Sequence, residues 1–492
     1  MADTSVKKQT ISGAIWKFTE RISAQLISFI VSIILARILA PDDYGLIALV
    51  FVFTTFCDKL LIAGFATSLI QKKTADDKDF SSVLYFSVAA AFILYVLLFL
   101  GAPFIADFYT KFDRTELISV IRILGLSLFL MAFSSVQHAY ASKHMLFKRY
   151  FWSTLGATVL SGIVGIAMAY QGFGVWALVA QNMLATFVGC IILWFTVDWR
   201  PKLLFSIERL KGLFSYGWKI FMASIIKTLY NDVRSLVIGK MFTPADLAYY
   251  NRGQSLPQLV DTNVTGTIDS VLFPAYSKLQ DDKSAMLNAV RRAVKTSCYV
   301  LMPILALMAA VSSPLVSLLL TDKWLPCVPF MQILCFSFIF SPVEMENLQA
   351  IKAIGRSDIV LKLEIVKKTI GILLLIVSVP FGVISIAWSM MVSCLIAATL
   401  NASPNKKLIG YSIKQQLTDV MPSLIMSLLI FVGVQGLLVI LPTSNHWIQL
   451  VVSGVAAIAF YIVASIVFKV ESFKYMTTTI SSINSKNKKN NE

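Results

Sequence analysis

Two helical stretches carry cations where an apolar helix ordinarily has none. Within residues 12–38, Lys17, Arg21, Gln25, Ser28 and Ser32 recur at spacings of 4, 4, 3 and 4, which is one face of a helix. Within residues 213–239, Lys219, Lys227, Asn231 and Arg234 keep the same rhythm, with Ala223 in the gap. A shift of 202 lays Lys17 on Lys219, Gln25 on Lys227 and Ser32 on Arg234. A third stretch, 246–275, is polar on one face through Gln254, Gln258, Asp261, Thr265 and Asp269. Thr55 and Asp58 in the stretch 44–69 answer it, Asp58 falling on Asp261 at a shift of 203. Charges are costly in hydrocarbon and usually face a bundle interior or a wet cavity. The chemistry on offer is therefore electrostatic: a water-filled cavity, basic on balance, that favours an anionic headgroup. Its candidate headgroup-binding residues are Arg21, Gln25, Lys59, Lys219, Lys227, Asn231, Arg234 and Arg252. Asp58, Asp261 and Asp269 are candidate counter-charges or coupling carboxylates. The same residues also suit helix-to-helix ion pairs, for example Asp58 with Lys17 or Arg21. Near helix ends, Lys17, Arg37, Arg122 and Lys367 can simply snorkel.

Covalent catalysis has no comparable set of residues. The histidines are His138, His144 and His446, and none pairs with a cysteine or carboxylate at metal-ligand spacing. Cys57, Cys190, Cys298, Cys327, Cys335 and Cys394 are scattered and read as free apolar fillers. Asp42-Asp43, Asp76-Asp77 and Asp281-Asp282 read as solvated loop charge, although such pairs can mimic a nucleotide-sugar metal site. No phosphate-cradling GxxxxGK[ST] loop occurs, so energy must come from a gradient, from substrate flux or from a partner. Neither a catalytic residue, a metal nor a cofactor is expected.

The elements that must position these faces follow from composition. Of 492 residues, 57% are hydrophobic and 14% charged, and the mean hydropathy is +0.74. Soluble domains are about 45–50% apolar and about 25% charged, so a water-soluble single core is excluded. The apolar runs are continuous rather than alternating, which excludes a β-barrel. The expected fold is an all-α polytopic membrane protein with spans near 12–38, 44–69, 82–106, 116–138, 153–170, 175–197, 213–239, 246–275, 287–311, 325–349, 358–380, 383–401, 417–440 and 447–468, fourteen in all. The first, second, seventh and eighth are more polar than the rest. The beginning of the chain lacks the apolar run and small-residue site of a removable signal, so its first span is expected to stay.

Charge places the ends. With the N-terminus inside, 28 of the 43 Lys and Arg fall in inside loops, and only Lys111, Arg114, Lys240 and Lys323 fall outside. That bias predicts cytoplasmic N- and C-termini. It also absorbs most of the +16 net charge, so a nucleic-acid partner is unneeded.

Internal similarity organises the spans. Ala36-Arg37-Ile38-Leu39-Ala40-Pro41-Asp42-Asp43 matches Gly239-Lys240-Met241-Phe242-Thr243-Pro244-Ala245-Asp246 at a shift of 203. Phe133-Ser134-Ser135-Val136 matches Phe340-Ser341-Pro342-Val343 at 207, and Phe173-Gly174-Val175 matches Phe381-Gly382-Val383 at 208. A repeat of six spans enters the membrane in one direction twice, which makes two parallel lobes around a central cavity. The expected domains are 1–200 and 201–405 as the two lobes, 406–470 as two extra C-terminal helices, and 471–492 as a cytoplasmic tail. Ser481 to Glu492 reads as disordered.

Three motifs resemble a known family: Gly13-Ala14-Ile15-Trp16, the stretch from Ala36 to Gly45, and Gly172-Phe173-Gly174-Val175-Trp176-Ala177-Leu178-Val179. They are similar to those of the Wzx-type polysaccharide flippases of the MOP superfamily, which also holds MATE antiporters and the lipid II flippase. The nearest branch is that of the colanic-acid and teichuronic-acid exporters, the lipopolysaccharide biosynthesis proteins. The resemblance implies a bacterial inner-membrane flippase. Its substrate would be an undecaprenyl-pyrophosphate-linked oligosaccharide, taken from the cytoplasmic to the periplasmic face by alternating access. Its partners would be the lipid bilayer, that polyprenyl-linked glycan, and polysaccharide polymerase or assembly proteins. A MATE-like small-molecule antiporter shares the architecture, and a membrane glycosyltransferase or polymerase shares the lipid carrier. Short loops disfavour the latter.

Overall fold

The computed structural model describes residues 2–62, 65–72, 74–441 and 445–478, and all regular structure among them is helical. The helices are α1 (Ala2–Ile38), α2 (Pro41–Ile62), α3 (Phe65–Gln71), α4 (Asp77–Phe108), α5 (Arg114–Gly125), α6 (Ser127–Lys143), α7 (Phe147–Tyr170), α8 (Val175–Thr196), α9 (Ile207–Met241) and α10 (Pro244–Lys278). There follow α11 (Lys283–Ala310), α12 (Ser312–Leu320), α13 (Val328–Phe338), α14 (Ser341–Ala353), α15 (Ser357–Ser378), α16 (Val383–Ala402), α17 (Asn405–Leu408), α18 (Ile413–Ile440) and α19 (His446–Val467). Two 3-10 turns, Asp322–Cys327 and Val379–Phe381, precede α13 and α16. The sequence tail from Ser481 lies outside the described residues.

Among the described residues, ten helical stretches are long and apolar enough to cross a bilayer, so this is a multi-pass membrane protein. The helices α9, α10 and α15 are long enough but carry charge within their apolar length, and α1 offers only Ile22–Ile38. Phe104, Phe195 and Val439 stand mostly exposed on the outer faces, as side chains that meet acyl chains should.

Contacts divide the chain into two compact units, Met1–Ala248 and Tyr249–Glu492. In the first, α7 packs on α1 and α8, and α9 packs along α2 and α3. Gly162 permits the α1–α7 approach: a Cβ there would lie 2.6 Å from Val31 Cγ2. In the second, α18 lies along α11, while α16 packs on α13, α14 and α15. Gly253 of α10 sits against the α13 backbone, where a Cβ would come within 2.9 Å of the Met331 nitrogen.

Some expected spans are broken. The fourth is α5 and α6 parted at Leu126, and the tenth is a 3-10 turn followed by α13 and α14. Pro342 accounts for the last break, since it lacks an N–H and restricts the residue before it.

The 203-residue sequence match has a local physical cause. Pro41 and Pro244 each open a helix, where proline's missing donor costs nothing. Asp43 accepts the Ala40 N–H at 3.0 Å, and Asp246 accepts the Thr243 N–H at 3.1 Å. Thr243 Oγ1 in turn accepts the Asp246 N–H at 3.2 Å, which completes a reciprocal cap. The match at 208 is turn chemistry: Gly174 (φ 54°) and Gly382 (φ 94°) each hold a left-handed backbone just before a helix. The match at 207 is not locally equivalent. Ser134 and Ser135 lie inside α6, whereas Ser341 begins α14.

Candidate functional site

Helix α9 runs antiparallel to α2 and α3. A Cβ on Gly239 would lie 3.2 Å from Leu49, and at the other end Ser68 Oγ donates to the Leu213 carbonyl at 3.0 Å. At about 1.5 Å rise per residue this register sets Arg234 about level with Thr54, and Lys227 within about a turn of Asp58. Arg234 is only 7% exposed. Its guanidinium carbon stands 5.8 Å from the centroid of the Tyr230 ring, and its Nε is buried with no hydrogen-bond partner among the described residues. Asp58 is its counterpart in kind. Oδ1 is buried with no hydrogen-bond partner among the described residues, and Oδ2 lies 3.9 Å from Lys59 Nζ. A buried polar atom left without a partner costs about 1–3 kcal/mol. Two of opposite charge on packed helices therefore mark this seam as unfinished.

Around them, Lys227 and Asn231 are exposed, while Gln25 and Lys59 are half-buried. The side chains of Arg21, Lys219 and Asp269 lie outside the described ones. In the second unit, the Arg252 guanidinium carbon lies 5.3 Å from the centroid of the Trp324 ring. Asp261 accepts a short hydrogen bond from Ser341 Oγ, so it is held by a hydroxyl from the start of α14. Gln258 is exposed.

The three acidic pairs read as solvated loop charge turn out to cap helices. Asp42-Asp43 stands at the start of α2, and Asp282 accepts the Ser284 and Ala285 N–H groups at 2.9 Å. Asp76 and Asp79 form a reciprocal cap on α4, and the Asp79 amide holds the Asp76 carboxyl below the usual carboxylate range. Asp79 is fully buried and bonded by Lys72 at 2.6 Å, while Asp77 meets Lys202 at 2.6 Å and Trp199 Nε1 at 3.1 Å. No group of three His, Cys, Asp or Glu among the described residues could hold a metal ion. All six cysteines are free, five of them buried, and Lys367 does not snorkel but bridges Glu344 (2.9 Å) and Glu364 (2.7 Å).

Two polar networks in the second unit escaped the sequence reading. Glu346 accepts from Tyr276 Oη at 2.8 Å and Ser297 Oγ at 3.2 Å, and beside it Asn347 exchanges hydrogen bonds with Gln416 and accepts from Asn405. Three polar residues within four positions of an otherwise apolar stretch, Glu344, Glu346 and Asn347, were the available signal. In the other network Asp419, almost fully buried, accepts Arg291 Nε at 2.5 Å and Nη2 at 2.8 Å, Tyr411 Oη at 3.0 Å and Lys295 Nζ at 3.1 Å. Lys295 also bonds Glu471 at 2.6 Å, which holds that carboxyl below its usual range.

The chain is similar to proteins of surface-polymer biosynthesis. The teichuronic acid biosynthesis protein TuaB of Bacillus subtilis (strain 168) is 25% identical over 363 residues, 72% of this chain and 73% of that protein. The lipopolysaccharide biosynthesis protein WzxC of Escherichia coli (strain K12) is 23% identical over 370 residues, 74% of each. Among solved structures, the lipid II flippase MurJ in an inward closed conformation superposes with a TM-score of 0.73 over 93% of this chain and 98% of its own, at 15% identity. An inward-facing multidrug resistance MATE transporter of the MOP superfamily gives 0.59 over 81% and 94%, at 17% identity. These two share the fold. The sequence pattern of one family, described as polysaccharide biosynthesis protein, runs from residue 34 to residue 329. That span exceeds half of the chain and takes in the α2–α9 seam with Asp58 and Arg234, so the chain belongs to the polysaccharide biosynthesis protein family.

Proposed function

We propose that this protein is a flippase that moves polyprenyl-pyrophosphate-linked oligosaccharide units from the cytoplasmic to the periplasmic leaflet of a bacterial inner membrane, for O-antigen, capsule or exopolysaccharide synthesis. The observation that carries the reading is Arg234, a buried arginine whose Nε has no partner among the described residues, on α9, which packs on α2, the helix that carries Asp58. A sugar pyrophosphate cannot enter hydrocarbon unsolvated. A guanidinium with a donor to spare gives the phosphate a partner inside the membrane, while the polyprenyl tail stays in lipid. In this reading the role is transport rather than catalysis, and Asp58 balances Arg234 when the headgroup is absent. The names of TuaB and WzxC, both biosynthesis proteins of surface polymers, and the MurJ-like fold support the substrate class. The loop charge bias supports cytoplasmic termini.

Cells lacking the protein should accumulate the lipid-linked unit on the cytoplasmic side, and restoring the gene should clear it. An unchanged lipid-linked pool, with loss of resistance to a small toxic cation instead, would replace this reading with a drug antiporter.

Alternating access by lobes near 1–200 and 201–405 makes the seam between residues 36–45 and 239–246 a gate. Leu39→Cys with Phe242→Cys, in a background lacking the six native cysteines, should cross-link and arrest export reversibly. Bridged Cα atoms lie within about 7 Å, so neighbouring pairs belong in the scan. If no pair across this seam closes while pairs inside one lobe do, rocking about it is wrong.

A further inference from the structure

The second unit contains a cavity unrelated to the polar helix faces. One chamber, of about 540 Å³, lies between α11, α18 and the segment that follows α19. A second, of about 400 Å³, shares Arg291, Lys295, Glu471 and Ser472 with the first. Each falls within the roughly 300–1,000 Å³ typical of small-ligand sites.

Their linings differ. The first adds an apolar wall of Ile425, Met426, Leu429 and Phe468. The second adds Arg292, whose guanidinium carbon lies 4.8 Å from the centroid of the Tyr475 ring. Lys469 stands at the rim with φ 49°. Four cations, Arg291, Arg292, Lys295 and Lys469, face two carboxylates, Asp419 and Glu471, so positive charge remains after the internal pairs are made. Arg292 is exposed and has no carboxylate partner among the ion pairs of the described residues.

The depth of this cavity is set by where charge stops. Beyond Lys295, α11 is free of Asp, Glu, Lys and Arg to Ala310; beyond Asp419, α18 is free of them to Ile440; and α19 carries none from His446 to Val467. All three helix ends meet at the cavity, with charge on one side and lipid-facing apolar surface on the other. Residues 471–478 are helical, and Val470, Phe473 and Met476 pack on the cluster of Tyr299, Met426 and Ala464. That short helix floors the cavity at the membrane surface, as interfacial helices do.

We infer that this two-chambered cavity holds an anionic phospholipid from the inner leaflet, its phosphate against Arg291, Arg292 and Lys295 and its acyl chains along Ile425, Met426, Leu429 and Phe468. Apolar walls on one side of a cationic cluster at the level where charge ends fit a lipid and not a free anion. Basic pockets between helices on the cytoplasmic side are the usual form of headgroup sites. The lipid is separate from the transported substrate and stays while the substrate moves.

The test uses the full chain purified in detergent and titrated with phosphatidylglycerol or phosphatidylcholine, with bound lipid counted by native mass spectrometry. Phosphatidylglycerol should bind at least about tenfold more tightly. Each cation near the membrane surface contributes about fivefold, so Arg292→Gln with Lys469→Gln should weaken phosphatidylglycerol by roughly 30-fold and leave phosphatidylcholine unchanged. Arg292→Lys with Lys469→Arg keeps the charges and should restore binding, which separates lost affinity from lost folding. Equal binding of the two lipids, or a neutralised variant that binds phosphatidylglycerol like the parent, overturns the proposal. Inorganic phosphate at millimolar concentration should not displace the lipid; if it does, and itself binds, the site is for a soluble phosphate and the lipid assignment fails. None of these readouts depends on export, so the flippase reading stands or falls separately.

Discussion

Arg234→Gln should stop export while leaving the protein inserted and abundant. The change removes the charge and keeps most of the volume, so the helix packing of α9 on α2 survives. On the proposed reading, what goes is a charge-assisted contact to substrate phosphate worth about 1.5–3 kcal/mol, a fall in transport of roughly tenfold to a hundredfold. Arg234→Lys should keep part of the activity, because an ammonium still meets phosphate but without the planar two-pronged fork. The measurement is uptake of a fluorescent lipid-linked glycan in proteoliposomes, normalised to protein content. A Gln variant that transports like the parent would remove Arg234 from the site. Because Arg234 is 7% exposed with an unsatisfied Nε, the same variant should not be less stable than the parent by more than about 1 kcal/mol.

Gly45→Val should be as damaging for a different reason. A Cβ at Gly45 would overlap the Pro244 carbonyl, a backbone atom that cannot rotate aside. Overpacking of this kind costs about 1–3 kcal/mol where the surroundings can shift, and here the obstacle is the first turn of α10. The variant should hold the start of α2 away from the start of α10 and lower export at least about tenfold. Gly433→Val is the control: it meets open space on α18 and should export normally. If both variants behave alike, the contact between the two helix starts is irrelevant to transport.

Most of the helices were legible in the sequence, because membrane spans need only length and apolarity, and both are properties of contiguous residues. The Pro41 and Pro244 motifs were legible as a match before their cause was: in each, an Asp accepts the N–H three residues before it, a spacing that a linear pattern preserves. Breaks were not. Leu126 parts α5 from α6 directly after Gly125, but glycine is frequent inside membrane helices, so Gly125 alone does not announce a break. Of the polar faces, spacing singled out Arg234 and Asp58 as residues of a polar face, yet it could not tell how far each is buried or that Arg234 Nε and Asp58 Oδ1 find no partner among the described residues, which depends on packing across helices. Asp261 looked like its twin, and instead takes a hydroxyl from Ser341, 80 residues away. Arg291 and Lys295 were absorbed into the loop charge count. Their engagement with Asp419 joins residues far apart in sequence, and no periodicity records that.

The separation along the chain also governs the order in which the protein can be assembled. Asp419 follows Arg291 by 128 residues, and Glu471 follows Lys295 by 176. A ribosome adding about 5–20 residues per second makes Arg291 and Lys295 on the order of ten seconds before the carboxylate that neutralises them. During that interval α11 resides at the membrane with unbalanced cations near its boundary, free to slide or to recruit whatever counter-charge is at hand. Only when α18 inserts does the carboxylate arrive, and only when α19 has returned does Glu471 join it. Completion of the last two helices thus fixes the depth of a much earlier one. A chain cut short before α18 would carry a helix whose position was never settled, which is the kind of defect that membrane proteases read.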